Sequence, residues 1–463
     1  VGDPKTQLND SKAHELAWMS YYGRLNYMFD NRYMFEFNLR YDGSSRFSPD
    51  SRWGLFPSFS AGWRISEEEF MKDIDWLSNL KLRASWGKLG NNSIGNYEWQ
   101  ALYGSGYNYA FNSNKSNGLA MTTFSNYALE WEETAITNIG LDFGVLNNRL
   151  NGTIEVYDKK TDGILYRPTL PESLNQFTSP LQNLAGVNNK GLEITLGWND
   201  RVGDISYSVS GNFTYNKNKV TKYKGELVRE WRTDANGNKV WYQNVGTVAN
   251  GSSNLIVEGH EMNEYYMMNP YKGNGSYFNS DGTVNINGGP KDGMIRTEAD
   301  MKWLQAMFDA GYKFYPNQAI GKDKIWYGDM IYADYNGDGI YGNDDDRDFQ
   351  GVSWRPKYYF GLQASMTWKG FDLSMNWAGA AGFKIDYYKQ TQNSVSVTHG
   401  YGLGYDIAYD HYFFDPENPN DPRTNIYSET PRLVGYQNSG QASATSSWHL
   451  KNGNYIKLKN LTI

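Results

Sequence analysis

The stretch Tyr33-Met34-Phe35-Glu36-Phe37-Asn38-Leu39-Arg40-Tyr41-Asp42 decides the fold. Tyr33, Phe35, Phe37, Leu39 and Tyr41 share one parity, and Met34, Glu36, Asn38, Arg40 and Asp42 share the other. Successive side chains of a β-strand point to opposite faces, so this segment as a strand has an apolar side and a largely polar side. The same alternation recurs upstream at Leu25, Tyr27 and Phe29, and downstream at Phe59, Ala61, Trp63 and Ile65. It continues at Leu80 to Trp86, Ile139 to Val145, Leu150 to Val156, Leu192 to Trp198 and Ile205 to Tyr215. Phe360 to Trp368 and Phe371 to Trp377 repeat it, and Tyr455 to Ile463 follows it with a less clean parity. Counting these segments gives roughly eleven strands, and helix-period patterns are scarce. The chain reads as all-β.

The connections alternate in length. Asp30-Asn31-Arg32, Asn147-Asn148-Arg149, Asn199 to Gly203 and Lys369-Gly370 have the composition of tight hairpin turns. Between them lie segments 43–52, 89–131, 162–188, 219–353 and 387–446, while 66–79 is intermediate and is expected to form a short helical turn. Brief turns at one end and long loops at the other are the signature of an up-and-down barrel across an outer membrane. Several alternating runs approach the roughly 9–11 residues of a tilted membrane strand, and aromatic residues flank the tight turns.

Composition agrees. Mean hydropathy is -0.70, and no run nears the roughly 20 apolar residues of a spanning helix, which leaves a barrel with only every second residue against lipid. A net charge of -7 without a basic run argues against a nucleic-acid partner. With no cysteine, disulfides and thiolate metal sites are excluded.

Several stretches together carry a family resemblance. They are Tyr22 to Tyr27, Arg40 to Phe47, Phe56 to Arg64, Leu82 to Gly87, Asn138 to Phe143, Asn189 to Glu193, Asp334 to Gly339 and Tyr455 to Thr462. In this order the chain resembles, over essentially its whole length, the SusC/RagA-type TonB-dependent transporters of Bacteroidetes outer membranes. The resemblance implies a transmembrane antiparallel barrel of about 22 strands around a plug, of which residues 1–463 would supply roughly half. The plug domain and the final strands are then expected elsewhere in a longer polypeptide. It also implies a SusD-like surface lipoprotein, energy from TonB, and import of oligosaccharides or peptides. By strand parity Glu36, Asn38, Arg40, Arg64, Arg83 and Asp142 are expected to face the lumen or plug.

Local chemistry is sparse. Asp334, Asn336 and Asp338, with Gly339, the Ile340 carbonyl and Asp345, have the spacing of an EF-hand-like calcium loop. Aspartate instead of glutamate at the last position and the lack of a flanking helix pair leave an Asx-rich turn equally open, so any calcium would be structural and no cofactor is required. Tyr265, Tyr266, Tyr271, Tyr277 and Phe278 in one loop, and Tyr401, Tyr405, Tyr409, Tyr412, Phe413 and Phe414 in another, are candidates for stacking on sugars or peptides. Each can equally pack within its loop or on a partner. Glu67, Glu68 and Glu69 read as a solvated acidic turn, and His14, His260, His399, His411 and His449 as ordinary loop or surface residues. No nucleophile elbow, phosphate loop or zinc-protease motif occurs, so no enzyme is expected. A non-transporting adhesin or glycan-binding module is the alternative, and a secreted glycosidase ranks last.

Overall fold

A computed structural model describes residues 13–111, 114–168, 178–387, 394–395, 404–435, 441 and 444–463. Tyr401 and His399 lie outside these. The chain divides into a wall unit, built from residues up to 226 with 358–379 and 456–463, and a loop unit of residues 227–357 and 380–455.

The wall unit is an antiparallel sheet of eleven strands in chain order. They are β1 (Trp18–Phe29), β2 (Tyr33–Ser44), β3 (Trp53–Arg64), β4 (Leu77–Asn91), β5 (Glu132–Val145), β6 (Leu150–Tyr166), β7 (Gln182–Val202), β8 (Ile205–Lys222), β9 (Tyr358–Trp368), β10 (Phe371–Ala381) and β11 (Tyr455–Thr462). Each corresponds to an alternating segment of the sequence. The turns after β1 and β9 are tight because Asp30, Asn31, Lys369 and Gly370 all adopt positive φ, which matches the right-handed twist of the flanking strands. In the segment 66–79, expected to form a short helical turn, 3-10 turns span Ile65–Glu67 and Glu69–Met71, and Leu77 onward already belongs to β4.

The hairpin expected at Asn199 to Gly203 lies further along. Asn199, Asp200, Arg201 and Val202 still pair with Ser208, Tyr207, Ser206 and Ile205, and only Gly203-Asp204 turns. The polar residues beyond Trp198 extend the ladder beyond the apolar band instead of breaking it.

Register sorts the side chains. Tyr27, Phe35, Ala61, Ala84, Ile139, Val156, Leu192 and Tyr215 form one continuous cross-strand row, because directly paired residues share a face. Phe29, Tyr33, Trp63, Leu82, Leu141, Ile154, Ile194, Phe213 and Phe360 form the next row toward the tight turns. Phe35, Ile139, Ile154, Val156, Leu196 and Leu362 remain exposed on this face. An apolar surface of this extent is not left to water. Near the tight turns the Phe29 and Tyr33 rings stack at 6.4 Å and Trp368 and Phe371 at 6.3 Å, as in an interfacial aromatic girdle.

On the opposite face run Asn26, Glu36, Ser60, Ser85, Asn138, Tyr157, Gly191 and Asn216. Toward the long-loop end that face also packs apolar groups, where Phe47, Phe56, Ile94, Leu129 and Trp131 form a buried cluster.

The loop unit has a hydrophobic core of its own. Tyr271, Ile295, Trp303, Leu304, Met307, Phe314, Ile325 and Ile331 are buried together. One helix, α1 (Glu298–Asp309), contributes Trp303, Leu304 and Met307, and its start is fixed by a capping box in which Thr297 and Asp300 bond each other's backbone. A short three-stranded sheet, 254–255, 264–268 and 347–353, packs beside a second cluster around Val257 and Tyr266. The segment expected to be loop over 219–353 is thus folded, and helix is present where none was expected.

The two faces give a direct expectation. Ile154→Lys places a charge in the middle of the apolar rows of β6 and should cost about 2–4 kcal/mol, whereas Thr153→Lys on the other face should cost less than about 1 kcal/mol. The midpoint of urea unfolding of the membrane-inserted receptor, followed by heat-modifiable gel mobility, measures both.

Candidate functional site

The six residues expected to face the lumen do share one face of the sheet. Glu36, Asn38 and Arg40 follow one another at alternate positions of β2. Arg64 pairs with Lys81, which pairs with Asp142, and Arg83 lies two residues on from Lys81 on the same side. Glu36, Asn38, Arg40, Arg83 and Asp142 each have a partner in place. Glu36 accepts from Arg24 at 2.6 Å and from Asn38 at 2.8 Å, and Arg40 pairs with Asp42 at 3.1 Å. Arg83 bridges two strands by donating to Asp142 at 3.1 Å and to Glu155, which also accepts from Asn138 at 3.0 Å. Because water reaches this face, each pair contributes little to stability, on the order of 1 kcal/mol or less. What it supplies is a hydrated surface of alternating charge.

Glu68 is more than part of a solvated acidic turn. Its carboxylate is buried and accepts from Tyr33 Oη at 2.6 Å, Trp63 Nε1 at 2.9 Å and Arg32 Nη1 at 3.0 Å. Those donors, Tyr33 and Trp63 foremost, hold its pKa below the ordinary carboxylate value. It ties the turn after β3 to the aromatic girdle.

The aromatic candidates of the loop unit divide. Tyr265, Tyr266, Tyr271 and Tyr412 are buried, so they are packing residues and not stacking platforms. Each hydroxyl is satisfied inside: Tyr271 donates to the Ile286 and Gly288 carbonyls at 2.9 and 2.8 Å, and Tyr412 to the Arg296 carbonyl at 2.6 Å. Burial pushes the Tyr271 phenol up to about 12. Tyr405 and Tyr409, one helical turn apart on a short helix, are 77% and 74% exposed, with ring centroids 4.3 Å apart, and these two can meet a solute. Tyr409 borders a cavity of about 860 Å³ that Trp326, Tyr327, His411, Phe413 and Arg423 also line. There the Arg423 guanidinium lies 4.6 Å from the Phe413 ring centre and pairs with Asp421 at 2.8 Å. Arg423 also holds the Asp421 carboxyl down to about 2. Rings beside a guanidinium and carboxylates suit a polar ligand with flat faces. Of the histidines, His449 is buried in the short 3-10 turn Ser447–His449, and His260 stacks on Phe349 at 3.7 Å.

In the 334–346 loop the acidic side chains serve the backbone. Asp334 accepts from the amides of Gly337, Asp338 and Gly339 at 2.6, 3.2 and 2.9 Å, and Asp338 from that of Ile340 at 2.7 Å. Asn336 donates to Asp338 at 3.2 Å, and Asp345 accepts from Gln243. Among the described residues no three acidic or histidine side chains come together as a metal site. The expected calcium set of Asp334, Asn336, Asp338, Ile340 and Asp345 thus lies in the hydrogen-bond network of an Asx-rich turn. The sequence reading missed Asp346, the residue on which the loop closes. It is 1% exposed and accepts from the amides of Tyr335, Gly342 and Asn343 at 2.7, 2.7 and 3.1 Å. Burial pushes it up to about 6 against those three donors.

An eleven-stranded antiparallel sheet with a lipid-type face, a charged face, tight turns at one end and long loops at the other is the wall of an outer-membrane β-barrel. The chain belongs to the TonB dependent receptor-like β-barrel family, whose model matches residues 3–242. It is 39% identical over 260 residues to the TonB-dependent receptor SusC of Bacteroides thetaiotaomicron, covering 54% of this chain and 26% of SusC. It is 26% identical over 465 residues to the TonB-dependent receptor P3 of Formosa agariphila, covering 100% of this chain and 40% of that one. The RagAB peptide importer in its closed-closed state superposes with a TM-score of 0.66 at 22% identity, covering 97% of this chain and 41% of the importer chain. The chain thus spans between 26% and 41% of the length of these relatives. Its place is the outer membrane.

Because the Asp346 carboxyl is raised, the folded loop binds a proton more tightly than the unfolded one and gains stability as pH falls from 7 through about 6. Hydrogen exchange of residues 335–343, corrected for intrinsic rates, should be slower at pH 5 than at pH 7.5. Asp346→Asn should abolish that difference, and added calcium should leave exchange unchanged. Protection that appears only with calcium would restore the metal reading.

Proposed function

We propose that this chain forms about half of the wall, together with a folded loop unit, of a longer TonB-dependent transporter that imports oligosaccharides or peptides across the outer membrane. The supporting observation is the state of the two outermost strands. All twelve residues of β1 and all eight of β11 are exposed, and each pairs on one side only among the described residues. Unpaired backbone groups cannot face hydrocarbon, so further strands must meet both edges and close the barrel. A closed barrel of that size encloses a lumen wide enough to hold a plug, and the charge-paired face of β2–β6 suits such a plug or a polar solute. Energy would arrive through TonB acting on the plug, and a SusD-like lipoprotein would cap the loop end and trap substrate there.

Glycan is placed before peptide as the substrate class, with Tyr405, Tyr409 and the Phe413 cavity as the first surfaces to test. No catalytic group is assigned.

The experiment is affinity purification of the receptor from detergent-solubilised outer membranes, with mass spectrometry of all co-purifying chains, followed by uptake assays. A polypeptide longer than this chain, together with a surface lipoprotein, is expected. Arg40→Ala and Arg64→Ala should reduce uptake or loosen the plug, and Tyr409→Ala with Phe413→Ala should weaken oligosaccharide binding several-fold. Recovery of a 52.9 kDa chain alone, soluble without detergent, would contradict the proposal. Unchanged uptake and plug seating in the arginine variants, and unchanged oligosaccharide binding in the Tyr409 and Phe413 variants, would remove the roles given to those residues.

A further inference from the structure

The outward face of the wall changes character abruptly at the loop end of β6, β7 and β8. Above Val156, Leu192 and Tyr215 the next outward row holds Asp158, Lys190 and Lys217, and the row after that Lys160, Asn188 and Lys219. All four lysines are exposed. Lys190 and Lys217 are direct cross-strand partners, an arrangement of like charges that is unfavourable by itself. Asp158 is the only acid in these two rows. It is held by Lys190 at 3.3 Å and by Asn188 at 2.8 Å, and Asp162 lies one row further. Among the described residues no acid lies within ion-pair distance of Lys160, Lys217 or Lys219. The excess is local: on the neighbouring strands, Lys88 is paired with Glu133 at 2.7 Å on the same face.

Position gives this excess a meaning. A lysine one or two rows above the apolar band can lay its stem along lipid-facing surface and present its ammonium at headgroup level. Adjacent strands are about 4.8 Å apart and successive outward rows about 7 Å apart, so the four ammonium groups can converge on one or two phosphates. We propose that this face of β6–β8 is a binding site for the phosphorylated headgroup of an outer-leaflet lipid. The headgroup supplies the counter-charge that Lys160, Lys217 and Lys219 lack within the wall, and it relieves the Lys190–Lys217 repulsion. An isolated snorkelling lysine would need no such ligand. Four on three adjacent strands, one pair directly opposed, do.

The test uses the full receptor purified in detergent, as wild type, as the triple variant Lys160→Gln, Lys217→Gln and Lys219→Gln, and as the corresponding triple Lys→Arg variant. Heat-modifiable mobility checks that each is folded. Outer-membrane glycolipid, intact or enzymatically dephosphorylated, is titrated in and its retention read by native mass spectrometry, with inorganic phosphate as a separate probe. Wild type and the arginine variant should retain the intact lipid about tenfold to a hundredfold more strongly than the glutamine variant does, and the dephosphorylated lipid should lose the same factor. Equal retention by all three proteins, or no effect of dephosphorylation, would overturn the site. Binding of inorganic phosphate without preferential lipid retention would overturn the lipid assignment. None of these outcomes depends on the transported substrate, so they fail separately from the proposed function.

Discussion

A backbone N–H or C=O group facing hydrocarbon has no water to bond, and leaving it unpaired costs several kcal/mol. The wall unit follows from that constraint. Its strands are long, with 15 residues in β4, 17 in β6 and 21 in β7, because the ladder must stay complete through the apolar band and into water on either side. Turns at one end are short because residues with positive φ, such as Asn31 and Gly370, reverse the chain without breaking pairing. The same constraint makes β1 and β11 informative, since an edge that is tolerable in water is not tolerable in lipid.

The constraint also explains what was legible in the sequence. A membrane strand must repeat at period two over its whole length, so parity alone located all eleven strands and placed Glu36, Asn38, Arg40, Arg64, Arg83 and Asp142 on one face. Parity failed where water returns as solvent. Beyond Trp198 the polar residues Asn199, Asp200 and Arg201 look like a turn, but they continue the hairpin because polar strands in water carry no alternation. In the loop unit the core is assembled from distant segments, and Tyr271 meets Trp303 and Tyr341 across long separations that no local pattern announces. The exposed look of Tyr265, Tyr266, Tyr271 and Tyr412 in a Gly- and Asn-rich sequence was therefore misleading. α1 was readable in principle: Trp303, Leu304, Met307 and Phe308 have helical spacing behind a Thr297–Asp300 cap.

The acidic 334–346 segment shows why spacing alone is weak evidence for a metal. Asx-turn geometry and calcium ligation call for the same short oxygen-bearing side chains beside glycine. Here the carboxylates accept from the amides of their own loop, with Asp346 buried among them. Glu68 presents a similar case at the tight-turn end of the wall, where an acidic run conceals one carboxylate tied to Tyr33, Trp63 and Arg32. In both places burial of a single member, which composition cannot reveal, sets its role.

One face of the sheet is apolar and suited to lipid, and the other is charged and suited to a hydrated lumen. The 463 residues contain no cysteine, so single cysteines can be placed in this stretch one at a time along β6 from 150 to 157 and spin-labelled in the membrane-inserted receptor. Paramagnetic accessibility should alternate with a period of two. Labels at 150, 152, 154 and 156 should collide with oxygen, which concentrates in lipid, and those at 151, 153, 155 and 157 with a water-soluble nickel complex. Uniform accessibility along the strand, or alternation of the opposite phase, would contradict the account.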